Sequence, residues 1–131
     1  MCNLNFRQLE GEADSWKSLI VKLTEENNQL KNRLAETLRN NISQRMLVEL
    51  ENFQTCFINI DELIYLLRRD IAECDNLLQK KISGDSIVVD EIIVLWKELN
   101  HSIKTTEIKF WKLKTDFNKY LQQNSISRQT G

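Results

Sequence analysis

Proline is absent from these 131 residues, and glycine occurs only at Gly11, Gly84 and Gly131. Between Gly11 and Gly84 no residue lacks a backbone N–H or escapes the steric limits on φ, so nothing there forces the chain to turn. Long helices are the expectation. Three scattered glycines also exclude a phosphate-cradling loop or a dinucleotide fingerprint, which need them clustered. Histidine occurs once, at His101, and one imidazole leaves few routes to general-base or nucleophilic catalysis.

Cys2, Cys56 and Cys74 are odd in number and share no CxxC spacing, which argues against a disulfide framework and a thiolate zinc site. On one helix Cys56 and Cys74 lie roughly 27 Å apart, so they cannot pair within it. Buried structural thiols in a reducing, cytoplasmic setting are expected. The longest apolar runs, Leu63 to Leu67 and Ile92 to Trp96, fall far short of the ~20 residues a bilayer span needs, so no transmembrane segment is expected. The stretch "MCNLNFRQLEGEADSW" has neither a basic nor an apolar leader region, and no secretory signal is expected. A net charge of -1 gives no overall pull toward nucleic acid or an anionic membrane.

Apolar residues at 41% and charged residues at 28% belong to a folded chain of about one domain. Two seams carry the fold. Leu50, Phe53, Phe57, Ile60, Ile64, Leu67, Ile71, Cys74 and Leu78 alternate steps of three and four, the heptad period. Val89, Ile92, Trp96, Leu99, Ile103, Thr106, Phe110, Leu113, Phe117 and Tyr120 do the same. Between them lies "KKISGDS", where Gly84 suits the left-handed position after a helix and Asp85 or Ser86 suits the cap of the next. A short connection makes the helices antiparallel neighbours. Setting Leu78 opposite Val89 pairs Ile71 with Trp96, Ile64 with Ile103, Phe57 with Phe110 and Leu50 with Phe117.

Cys56 to Leu67 is apolar at nine of twelve positions, more than one seam requires. Cys56, Leu63 and Leu77 form a second stripe, and Ile58 and Tyr65 a third, so something further packs here: the first segment or a second chain.

The first segment has its own seam in Trp16, Ile20, Leu23, Asn27, Leu30 and Leu34. Residues 22–34, "KLTEENNQLKNRL", resemble the leucine-zipper motif. That resemblance implies a parallel homodimer in which Asn27, at an a position, meets its own copy and fixes register, with Glu26 facing Lys31 across the dimer. A DNA-binding zipper has a basic helix upstream. Here Glu10, Glu12 and Asp14 outnumber Arg7, so no DNA binding carries over. Residues 39–43, "RNNIS", read either as a turn, with Asn40 or Asn41 ending one helix and Ser43 starting the next, or as a continuous helix of altered supercoil.

Three other features bear on chemistry. Glu98 and His101 match the E-x-x-H element of di-metal carboxylate bundles, yet the seam through Trp96 and Leu99 places both on the outer half of the helix. Arg68, Arg69 and Asp70 follow the apolar stretch as solvated heads or as an ion pair. Lys104, Lys109, Lys112, Lys114, Lys119 and Arg128, mixed with aromatics, look like a polyanion or lipid patch. Equally, they suit a helix C-terminus lying beside Glu49 and Glu51.

The expected architecture is all-α: a flexible N-terminus over 1–13, a zipper-like coiled-coil helix over 14–42, an antiparallel helical hairpin over 43–122 turning near 82–86, and a flexible tail over 123–131. The expected role is a non-enzymatic coiled-coil interaction protein, an oligomerising adaptor or scaffold. Its partners would be its own copy and an unidentified protein, with no specific nucleic acid and no cofactor. Ile58, Tyr65, Leu66, Ile108 and Trp111 are the off-seam apolar residues expected at a partner surface. The alternatives are a monomeric three-helix-bundle binding module and a metal-dependent helical enzyme.

Overall fold

A computed structural model describes residues 6–82, 84 and 89–124, and among them all regular structure is helical: α1 (Phe6–Leu38), α2 (Gln44–Ile82) and α3 (Val89–Asn124). The helices run up, down and up as a bundle. Both α1 and α3 pack chiefly on α2, and they touch each other along a narrower strip. At 1.5 Å per residue the helices are roughly 50 to 58 Å long.

α1 begins at Phe6, earlier than the sequence pattern suggests, because Leu9 and Ala13 extend the seam of Trp16 and Ile20 backwards by two turns. Both are buried. Gly11 faces open space, so it costs the helix about 1 kcal/mol of propensity and no packing. Residues 1–5 and 125–131, and with them parts of the two segments expected to be flexible, lie outside the described residues.

Residues 39–43 form a turn. Arg39 N–H donates to Glu36 O at 3.2 Å and Asn40 N–H to Thr37 O at 3.1 Å, tightening the end of α1 through three-residue spacings. No non-glycine residue here takes a positive φ, so neither Asn40 nor Asn41 serves as a left-handed cap. Ser43 caps α2: its Oγ accepts the Met46 N–H at 3.1 Å, answering one of the donors a helix start leaves open, and its carbonyl accepts Leu47 N–H at 3.0 Å as the first bond of the helix. At the far end of α2, Gly84 has φ +93° and donates to Lys81 O at 3.1 Å. Asp85 and Ser86 lie outside the described residues.

The α2–α3 register differs from the expected pairing. Leu78 clusters with Ile92 and Leu9 instead of sitting opposite Val89, and the ring that meets Phe57 edge-on at 5.0 Å belongs to Phe117. Phe53 also packs on Phe117, at 5.1 Å, and on Tyr120, at 5.5 Å. The cause is the connection: α2 continues to Ile82 and α3 starts at Val89, which centres the reversal later than a Leu78–Val89 pair demands. Leu50, Phe57, Ile60, Ile64, Leu67, Ile71, Ile92, Leu99, Ile103, Phe110 and Phe117 are buried, whereas Val89 is half-buried. Phe53, Trp96 and Leu113 are half-buried, packed against the main cluster.

Candidate functional site

The polar chemistry of this bundle is concentrated between α1 and α2. Asn27 is fully buried. Its Nδ2 donates to the Phe57 carbonyl at 3.1 Å and to Asp61 Oδ1 at 2.8 Å. Both partners are acceptors, so the amide must turn its NH2 group toward them. Its own Oδ1 is buried without a partner. Lys31 Nζ holds the other Asp61 oxygen at 2.6 Å.

This cluster is one rung of a ladder with a seven-residue repeat. Lys31 meets Asp61, Arg68 donates to Thr24 Oγ1 at 3.2 Å, and Lys17 meets Asp75 at 2.9 Å. On each helix the rungs fall a heptad apart, so they lie along one flank of the seam. A slip of one heptad in either direction sets Arg68 against Lys17 or Lys31, so like-charge repulsion opposes the neighbouring registers. Exposed ion pairs contribute little energy; here their arrangement supplies specificity. The hydrogen bond to Asp75 holds Lys17 above the ordinary lysine range, against the opposing effect of desolvation.

The six residues of the first seam face the hairpin of their own chain: Trp16, Ile20, Leu23, Leu30 and Leu34 are buried in the main core with residues of α2 and α3, and Trp16 packs on Trp96 at 5.7 Å. The sequence pattern sets the same residues against a second copy. The pair expected across that zipper is also divided within the chain, because Glu26 binds Lys114 of α3 while Lys31 binds Asp61. A buried amide is answered equally well by its own copy or by a carboxylate and a carbonyl brought alongside. The sequence signal that distinguishes these cases is Asp61 itself, an acid inside a strongly apolar run.

Trp111 differs from its expected place on a partner surface. It is half-buried against the core, edge-on to Phe110 at 5.2 Å, with the ammonium groups of Lys22 and Lys114 over its ring at 5.5 and 5.1 Å. Ile58, Tyr65, Leu66 and Ile108 are 47%, 65%, 42% and 69% exposed. The first three, with Asp61 and Glu62, border a shallow concavity of about 420 Å³ on α2.

Cys74 is buried while Cys56 is exposed, so only one of the two described thiols fits the expectation of burial. Burial pushes the Cys74 thiol above its ordinary value, helped by the Asp75 and Glu73 carboxylates. Glu98 and His101 are both exposed, and no group of three or more His, Cys, Asp or Glu side chains is gathered for a metal among the described residues. Arg69 reaches Asp70 at 3.4 Å. Of the basic residues toward the C-terminus, Lys112 pairs with Asp116 at 3.0 Å and Lys114 with Glu26, Lys104, Lys109 and Lys119 are exposed, and Arg128 lies outside the described residues. No described helix is long and apolar enough to cross a membrane. Comparison with protein-family models, curated proteins and solved structures finds no match to this chain.

Proposed function

We propose that this chain is a non-enzymatic three-helix interaction module that presents one crest of α2 to another protein. The observation that carries the reading is the exposure of Ile58, Tyr65 and Leu66 around one concavity on a single helix. An exposed tyrosine with aliphatic neighbours is the composition of a contact patch, since the ring supplies large rigid area at low entropic cost. The bundle serves as its support: the α1–α2 ladder and the aromatic cluster of Phe53, Phe57 and Phe117 hold α2 rigid from two sides. Covering each crest side chain contributes on the order of 1 kcal/mol, enough for a partner to recognise and release.

The test is a photo-crosslinking amino acid at position 65, compared with the same group at the exposed position Glu36, in the full chain expressed in its own cells. The reading expects a discrete adduct from position 65 alone, lost on adding Ile58→Lys and Leu66→Lys. No adduct, or the same adducts from position 36, would overturn it.

A further inference from the structure

The crest of α2 carries opposite charges placed evenly about its apolar centre. Glu62 and Arg69 are seven residues apart, so they fall on one line along the helix, each about 5 Å from a midpoint between residues 65 and 66. Tyr65 and Leu66 stand on either side of that line at its centre, and all four side chains are exposed. Glu62 makes no ion pair among the described residues. The Arg69 guanidinium rests on Asp70 through Nε and Nη2, both at 3.4 Å, a long and exposed contact that leaves its other donors open.

We infer that the partner of this crest is a second copy of the chain, bound with the two α2 helices antiparallel and meeting at Tyr65 and Leu66. The inference rests on the reading of the crest as a contact surface and adds its occupant. A two-fold axis between antiparallel helices exchanges the two ends of the crest, so Glu62 of each copy meets Arg69 of the other and two ion pairs bracket the contact. Tyr65 and Leu66 each meet their own counterparts beside the axis. Ile58 reaches the level of residues 72 and 73, where the small, exposed Ala72 leaves room for it. Asp61 shares a level with Asp70 of the other copy, but the two lie half a turn out of phase on opposite flanks of α2 and stay apart. Parallel helices would set Glu62 on Glu62 and Arg69 on Arg69, so like charges reject that alternative. An acid and a base at equal distances from one apolar centre complement a copy of the same surface, which is what selects this occupant.

The test is light scattering coupled to size exclusion at low salt, over a wide concentration range, on the full chain and on charge variants whose fold is checked by helical circular dichroism. The intact chain is expected to approach twice its 15.5 kDa mass as concentration rises. Glu62→Arg or Arg69→Glu alone sets like charges at both pairs and should weaken the dimer at least ~10-fold. The double variant, and an equimolar mixture of the two single variants, restore opposite charges at both pairs and should each regain it. A monomer at every concentration, a single variant that dimerises as tightly as the intact chain, or a failure of the double variant or the mixture to recover overturns the proposal. A monomer whose position 65 still yields a discrete adduct with a different protein overturns the second copy alone and leaves the crest as a contact surface, so the two failures are distinguishable.

Discussion

Asn27 on α1 and Asp61 on α2 are joined by a 2.8 Å hydrogen bond inside the bundle, and the same amide leaves its oxygen buried without a partner. Substitution at this position therefore has an unusual sign. In Asn27→Leu neither former acceptor is stranded, because Asp61 keeps Lys31 and the Phe57 carbonyl sits within a continuous helix. Relief of the orphaned oxygen and the added burial exceed the two lost hydrogen bonds, giving a net gain of about 1 to 2 kcal/mol. Asn27→Asp places a carboxylate beside Asp61 with no donor to offer and should cost ~3–5 kcal/mol. Urea unfolding midpoints check both, and a loss of stability in Asn27→Leu would contradict the packing described.

The two described glycines should respond oppositely to alanine. At Gly84, φ of +93° is strained for any side chain although the space is open, so Gly84→Ala should destabilise by roughly 1–2 kcal/mol. At Gly11, within α1 and facing open space, alanine should stabilise by about 0.5–1 kcal/mol. Ser43→Ala removes the cap on α2 and should cost ~1 kcal/mol. Thermal unfolding of the three variants side by side provides the comparison.

Stability should fall in alkali. Cys74 and Tyr120 are both pushed up chiefly by burial, with Glu49 adding to the effect on Tyr120 and Arg45 opposing it, and Lys17 is raised chiefly by its hydrogen bond to Asp75. Each group binds its proton more tightly folded than unfolded, so its contribution is complete below its ordinary pKa and is lost as pH rises through the folded value. The windows open near pH 9.0 for Cys74, 10.0 for Tyr120 and 10.5 for Lys17. Unfolding free energies measured from pH 7 to 11 should decline from about pH 9 onward. In the same experiment at neutral pH, a thiol reagent should label Cys56 in the folded protein and Cys74 only on unfolding, since one is exposed and the other buried.

How far the sequence reaches is visible in particular residues. The heptad seams of α2 and α3 identify the hairpin because steps of three and four place one stripe on one face. Gly84 marks the reversal because only glycine takes that φ freely. The start of α1 was obscured by Gly11, whose weak helix propensity is outweighed by the burial of Leu9 and Ala13. The partner of Asn27 is not written locally: Asp61 lies far along the chain and reaches it only after the turn at 39–43. Trp111 reads as an off-seam residue by spacing alone, yet the ammonium groups of Lys22 and Lys114 cover its ring. The α2–α3 register failed by a few residues because helix spacing does not reveal where a glycine-containing connection is centred.

The measurement that tests the fold-back of α1 most directly is a spin-label distance between positions 18 and 76, exposed residues one step beyond the Lys17–Asp75 rung. The native cysteines would be replaced and the labelled chain diluted into excess unlabelled chain. The account predicts a short distance, set by helix axes ~10 Å apart plus the label arms, and unchanged by dilution. A separation approaching ~87 Å, as one continuous helix through both positions requires, or a short distance that vanishes on dilution, would contradict it.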